Sequence, residues 1–255
     1  MKNPKLKKFN HNRKGTDYII GDLHGCLKEL FLLMNHVNFD KTKDRMFSVG
    51  DLIDRGPESL NCAMLIYEPW FKCVRGNHEQ MMIDSFLHER SGVRANSYDN
   101  WMFNGGQWGH RCDTKLIKSI AEDMDKLPYI ISIGRGSKRV NIAHAEIFRA
   151  NDGQMADDTD IDEWNFDEAH ENGLIWGRHL TSHEYPESGV CLSKTFCGHT
   201  PLDEVLKTDN HVFIDTGAVF YHTKMLDTKL TMVRVSDFNT YTLNMRSKEI
   251  TESSL

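Results

Sequence analysis

Three short stretches of this chain end an apolar run in glycine and a side chain able to bind metal. GDLHGC, Gly21 to Cys26, follows Tyr18-Ile19-Ile20. GDLIDRGPES begins at Gly50, after Phe47-Ser48-Val49, and RGNHEQ begins at Arg75, after Phe71-Lys72-Cys73-Val74. Together they supply Asp22 and His24, Asp51 and Asp54, and Asn77 and His78. Two later runs end in His144 (IAHAE) and His199 (FCGHTP). A lone Asp-x-His at a strand end is more often structural, but five such ends in one chain argue against coincidence. Carboxylates, imidazoles and one amide suit Mn, Fe or Zn rather than a thiolate-seeking ion. The set is large enough for two cations. An aspartate can bridge such a pair, and cations roughly 3.5–4 Å apart clamp both oxygens of a phosphoryl displacement. Arg55 and Arg75 flank these residues with forks that match phosphate oxygens. His78 can protonate a leaving oxygen, and Asp54 can orient that imidazole and raise its proton affinity.

These residues converge only if strands place them side by side. Short β-branched and aromatic runs predict strands at Asp17–Ile20, Arg45–Val49, Phe71–Val74, Tyr129–Ile133, Val140–Ala143, Thr195–Cys197, Val212–Ile214 and Leu230–Val235. Helical spacing links Leu27, Leu30, Phe31, Met34 and Val37. It recurs through Leu60, Met64 and Leu65, through Met82, Ile83, Phe86 and Leu87, and through Leu116, Ile117, Ile120 and Met124. The early alternation of strand and helix predicts a layered α/β core, in which ligands gather at the carboxyl ends of parallel strands. Residues 89–112, rich in Gly, Asn and Trp, read as a long loop or irregular insert at the rim of the cleft. Residues 151–171 read as an exposed acidic loop. Asp158-x-Asp160-x-Asp162 resembles the start of a calcium loop, but Glu163 and Ala169 stand where a glycine and a bidentate glutamate are required. The remaining histidines (11, 36, 88, 110, 170, 179, 183, 211 and 222) are expected to be surface or satisfied core residues.

Bulk properties narrow the classes. With 255 residues the chain can bury a substantial core. A net charge of −6 argues against a dedicated nucleic-acid binder, and no apolar stretch approaches the ~18 residues of a membrane span. Six scattered cysteines without a C-x-x-C pair suggest free thiols in a reducing cytoplasm. The expected organisation is a flexible basic arm over 1–14, one catalytic domain over 15–245 and a C-terminal tail over 246–255.

GDLHG, GDLIDRG, RGNHE, a later single histidine and GHTP resemble the signature of the metallophosphoesterases. The Asp-Arg of the second motif and the Glu of the third are similar to its phosphoprotein phosphatase branch. PWFKCVRGNHEQMMID, NGGQW, IWGR and FIDTGAVF are similar to the small phage-type members of that branch, with a likeness running from about Tyr18 to Val235. The resemblance implies a four-layer α/β/β/α sandwich with two mixed sheets. It implies that Asp22 and His24 hold one metal, that Asp51 bridges, and that Asn77, His144 and His199 hold the second, with manganese the expected ion. His78 and Asp54 would be the general acid and its partner. Arg55, Arg75 and Arg178 would grip the phosphoryl group; Arg178, in IWGR, is implied by the resemblance alone. The implied reaction is one-step hydrolysis of phosphoserine and phosphothreonine in proteins, extending to phosphotyrosine, by in-line attack of a dimetal-bound hydroxide.

The eukaryotic members carry a longer C-terminal part that docks regulatory subunits, so a freestanding enzyme with no obligate subunit, membrane or nucleic-acid partner is expected. The alternative is a bis(5'-nucleosyl)-tetraphosphate hydrolase of the same superfamily, against which Asp54 and Glu79 weigh. A nuclease or phosphodiesterase would call for a basic aromatic face, and a catalytically dead binding module for a missing ligand or acid.

Overall fold

The computed structural model describes residues 5–87, 93–182, 191–222 and 227–255; at 93–96 and at 222 it describes backbone only. His88, His183 and the side chain of His222 therefore lie outside the described residues. Among the described residues, twelve strands form two six-stranded mixed sheets. In chain order the strands are β1 (Leu6–Phe9), β2 (Asp17–Ile20), β3 (Arg45–Ser48), β4 (Phe71–Cys73), β5 (Ile130–Ile133) and β6 (Val140–Ile142). They continue with β7 (Thr195–Cys197), β8 (Leu206–Lys207), β9 (His211–Phe213), β10 (Lys229–Arg234), β11 (Asn239–Asn244) and β12 (Ile250–Ser254). One sheet runs β12-β11-β10-β2-β3-β4 and the other β1-β5-β6-β7-β9-β8.

Period-2 alternation turns each strand into a two-sided wall. Ile19, Phe47 and Val74 of the first sheet meet Ile131, Ile142, Phe196 and Val212 of the second in a core between the sheets. Their chain neighbours Tyr18, Ile20 and Met46 face outward instead, onto helices. Those helices are α1 (Leu27–His36), α2 (Ser59–Ala63), α3 (Asn77–Phe86), α4 (Val93–Phe103) and α5 (Thr114–Met124). α1 buries Leu30, Leu33 and Met34, and α5 buries Ile117, Ile120, Ala121 and Met124, each at helical spacing. Asp113 caps α5 by accepting the Lys115 and Leu116 N–H groups at 2.9 and 3.1 Å, a contact worth about 1 kcal/mol. On the far face of the second sheet, Ile130, Ala143, Cys197 and Phe213 pack against α6 (Asp158–Glu163) and α7 (Glu168–Trp176) through Ile161 and Leu174. Three apolar layers thus separate four layers of elements, as the expected α/β/β/α sandwich requires.

Four expectations are corrected. Leu6–Phe9 is not a free arm: it pairs parallel to β5, from Leu6 opposite Ile130 to Phe9 opposite Ile133. Ile250–Ser254, expected in a tail, pairs antiparallel to β11. Lysines and a serine-rich end disguised both strands, because an edge strand needs only a few inward apolar contacts. The irregular insert contains α4 and a 3₁₀ turn over Gly106–Arg111. The acidic loop contains α6 and the first turn of α7, capped by Asp157 and Asp167. The described residues include no helix long and apolar enough to cross a membrane, and all six cysteines are free.

Candidate metal and phosphoryl site

The parallel strands β2, β3 and β4 are adjacent, and so are β6, β7 and β9. The loops leaving their carboxyl ends carry every ligand candidate. Asp22, His24, Asp51, Asn77, His144 and His199 are all buried. Ligating atoms of His24, Asp51 and His78 lie within 4.8 Å of one another, as do those of Asp22, Asp51 and His144. Asp51 is common to both groups, the position a bridging carboxylate requires. The Asn77 Oδ1 lies 2.8 Å from His144 Nε2 and 2.9 Å from His199 Nδ1.

The donor set fits cations. Asp22 Oδ2 accepts the His199 N–H at 3.0 Å, while Asp22 Oδ1 is buried with no hydrogen-bond partner. His144 directs Nδ1 at the Val49 carbonyl, 2.8 Å away, which fixes the proton there. Its Nε2 lone pair then faces two oxygens, Asn77 Oδ1 and, at 3.4 Å, Asp51 Oδ1. His24 likewise directs Nδ1 at the Ile53 carbonyl, 2.7 Å away, while its Nε2, 3.4 Å from Asp51 Oδ2, accepts from Arg55 at 2.8 Å. Lone pairs converging in a buried space repel unless a cation lies between them.

Titration follows the same pattern. Burial, then the charges of Asp215 and Asp51, push Asp22 well above the usual carboxylate range. Burial opposes ionisation of Asp51 too, but His144, His78 and His24 outweigh it and hold Asp51 below its ordinary value. Burial lowers His24 and His144, and takes His199 down to about 3, so the imidazoles are neutral as ligation demands.

Close approach is built into the backbone. A Cβ on Gly198 would lie 1.9 Å from Asp22 Oδ1. Gly50, at φ 102°, would place one 2.9 Å from His144 Nδ1. His24, Asp51, Asp54, Arg55 and His199 all have positive φ, a conformation costing of order 1–3 kcal/mol each that surrounding contacts must offset.

Beside the ligands, His78 Nδ1 lies 2.6 Å from Asp54 Oδ2, and its Nε2 lies 3.9 Å from Asp51 Oδ2. Burial alone would lower the His78 pKa, but Asp51 and Asp54 outweigh it and raise it above the ordinary value. The three arginines differ. Arg55 donates to His24 Nε2 at 2.8 Å and lies over Phe220. Arg178 donates to Thr200 Oγ1 at 3.1 Å and reaches the His199 carbonyl at 3.4 Å. Arg75 instead commits its guanidinium to Gln80 and Asp125 and packs on Tyr129.

Several supporting residues escaped sequence reasoning. The indole N–H groups of Trp101 and Trp108 donate to Asp54 at 3.0 and 2.7 Å. Both come from the insert expected at the rim. Buried Glu79 accepts the N–H groups of Asp51, Leu52 and Gly76, fastening the β3 loop to the start of α3. Buried Glu146 accepts the N–H groups of His179 and Leu180 at 3.0 and 2.9 Å, directly after Arg178. Asp215, just after β9, is buried and pushed up to about 6 by that burial. In the sequence Glu79 served only as a marker of the branch, and the others lay in or beside quoted motifs with nothing to show their supporting roles.

Buried carboxylates and imidazoles able to hold cations between the sheet ends, the His78–Asp54 pair and nearby guanidinium groups describe a scaffold for phosphoester hydrolysis. Comparison with known proteins agrees: the family model for calcineurin-like phosphoesterases matches residues 18–224. The chain belongs to the calcineurin-like phosphoesterase family. It is 34% identical to serine/threonine-protein phosphatase 1 of Salmonella typhimurium, over 80% of this chain and 87% of that protein. A symmetrical bis(5'-nucleosyl)-tetraphosphatase of Pseudomonas syringae is 47% identical, but over 24% of this chain and 21% of its own. A serine/threonine phosphatase structure from Saccharomyces cerevisiae superposes with a TM-score of 0.62 at 16% identity, covering 99% of this chain and 84% of that one, and shares the fold.

Proposed function

We propose that this chain is a metal-dependent protein serine/threonine phosphatase. The observation that carries the reading is the His78–Asp54 pair, 2.6 Å apart and aimed at Asp51, which serves protonation of an alkoxide leaving group. The match to a protein phosphatase along most of both chains supports it over the tetraphosphatase, whose match is confined to a quarter of this one.

In this reading Asp22, His24, Asp51, Asn77, His144 and His199 would hold two divalent cations. Manganese is the ion we propose on the family resemblance; oxygen and imidazole donors with no thiolate suit Fe and Zn as well. When bound, the cations would supply Lewis acidity and a water of lowered pKa. Arg55 and Arg178 bind the non-bridging phosphoryl oxygens and offset their charge. Arg75 flanks them from the side. As a water oxygen bonds phosphorus and the ester P–O bond breaks, His78 gives the proton on Nε2 to the departing serine or threonine oxygen. Asp54, accepting at Nδ1, fixes the ring and stabilises its protonated form.

The test compares a phosphoserine peptide with diadenosine tetraphosphate, using chelated protein with Mn added back or withheld. Peptide dephosphorylation that needs Mn and exceeds nucleotide cleavage is expected. Dominant tetraphosphate cleavage would assign the same site to the nucleotide-hydrolase reading.

A further inference from the structure

The carboxylate of Asp54 is buried, and among the described residues three rings hold it. His78 Nδ1 lies 2.6 Å from Oδ2. Trp108 donates its indole N–H to Oδ1 at 2.7 Å. The Trp101 N–H is shared between the two oxygens, 3.0 Å from Oδ1 and 3.1 Å from Oδ2. An indole N–H can only donate, so the two tryptophans claim Oδ1 as an acceptor and leave Oδ2 facing the imidazole.

The indoles are themselves held. Both are buried, and their planes cross at 88° with ring centroids 6.0 Å apart. Phe86 and Tyr98 meet Trp101 edge-on at 5.6 and 6.2 Å. A Cβ on Gly106 would lie 2.6 Å from the Trp101 ring, so the turn closes on that ring as tightly as glycine allows. The same turn reaches Arg55, whose backbone N–H donates to the Gly105 carbonyl at 3.2 Å. One segment, 101–108, thus fastens the side chain of Asp54 and the backbone of Arg55. These neighbours have φ of 76° and 67°, a conformation that outside contacts must support.

We propose that Trp101 and Trp108 are positioning residues that set which leaving groups the enzyme accepts. The inference rests on the protein-phosphatase reading and adds a specificity to it. A carboxylate pinned at Oδ1 keeps Oδ2 in line with His78 Nδ1, and so keeps the Nε2 proton aimed at the departing oxygen. Without one indole N–H, Oδ1 is left buried and short of a donor, and the carboxylate turns toward the donors that remain. The loss falls on esters that need protonation. Serine and threonine leave as alkoxides and require it. Tyrosine, whose hydroxyl has a pKa of about 10, leaves as a phenolate with far less help. The tryptophan pair therefore raises turnover of phosphoserine relative to phosphotyrosine.

Metal-loaded enzyme is assayed on two peptides of one sequence, carrying phosphoserine or phosphotyrosine at the same position, and on p-nitrophenyl phosphate. Trp108→Phe keeps an aromatic ring and removes the N–H. It should lower kcat on phosphoserine about tenfold, a part of the roughly 10²- to 10⁴-fold that a positioned acid contributes. The loss on phosphotyrosine and p-nitrophenyl phosphate should be several-fold smaller, with KM and metal content little changed. Trp101→Phe should shift the ratio of the two peptides in the same direction. Trp108→3-benzothienylalanine, with sulfur in place of the N–H, preserves the ring outline and decides the case if the phenylalanine variant does not fold. An equal loss on all three substrates, no loss on any, or loss of bound metal overturns the inference alone. Failure of wild-type enzyme to hydrolyse the phosphoserine peptide, with p-nitrophenyl phosphate still turned over, overturns the protein-phosphatase reading and this inference with it.

Discussion

A buried imidazole can act as an acid at neutral pH only if its surroundings hold the proton on it. Burial works against His78, whereas Asp51 and Asp54 work for it and prevail. At Asp54 burial prevails and raises the pKa, opposed first by His78 and then by the hydrogen bonds from Trp108 and Trp101, which favour the charged form. The sign of the pH dependence follows. With a pKa above the ordinary value, His78 keeps its proton to higher pH than a free imidazole and loses it as pH rises past that raised pKa. Hydrolysis of a phosphoserine peptide should fall along that alkaline limb. His78→Asn should remove the limb and lower kcat about 10²- to 10⁴-fold, with a smaller loss on p-nitrophenyl phosphate, whose leaving group needs no proton. An unchanged pH–rate profile in the variant rules out the acid role.

At the scale of elements, the site depends on strand ends and the loops beyond them. The strands that carry it were legible: β2 and β7 match the sequence reading residue for residue, the β3, β4 and β6 readings run one residue long, and the β9 reading is shifted by one residue. Most of their apolar runs stop abruptly at a glycine or a polar residue, a local signal. The supports were not legible, because they act across large sequence separations. Glu79 reaches back to the backbone at residues 51 and 52, and Trp101 reaches Asp54 across 47 positions. Nor does any pattern of residue types announce the positive φ of His24 or His199. Glu146 shows how such a support works. Its carboxylate grips the turn immediately after Arg178, and its chain segment leads back to His144 at the end of β6. Glu146→Ala should free the turn, raising KM for a phosphopeptide and weakening inhibition by inorganic phosphate about tenfold. Metal content should stay unchanged. Loss of metal together with activity would show a structural role instead.

At the scale of the whole molecule, neither sheet holds a complete site. The β2-β3-β4 ends provide Asp22, His24, Asp51 and Asn77, and the β6-β7 ends provide His144 and His199. The apolar layer between the sheets brings the two half-sites within reach. In the proposed reading, separate sheets, strained turns and facing lone pairs would make the metal-free site costly, and cation binding would offset that cost. The central claim is therefore that the two sheets together hold a pair of cations joined at Asp51. Chelated protein reconstituted with Mn and weighed by native mass spectrometry tests it most directly. Two ions per wild-type chain are expected, with both weakened in Asp51→Asn. A single ion per wild-type chain, or two held as tightly by the variant as by wild type, would contradict the account.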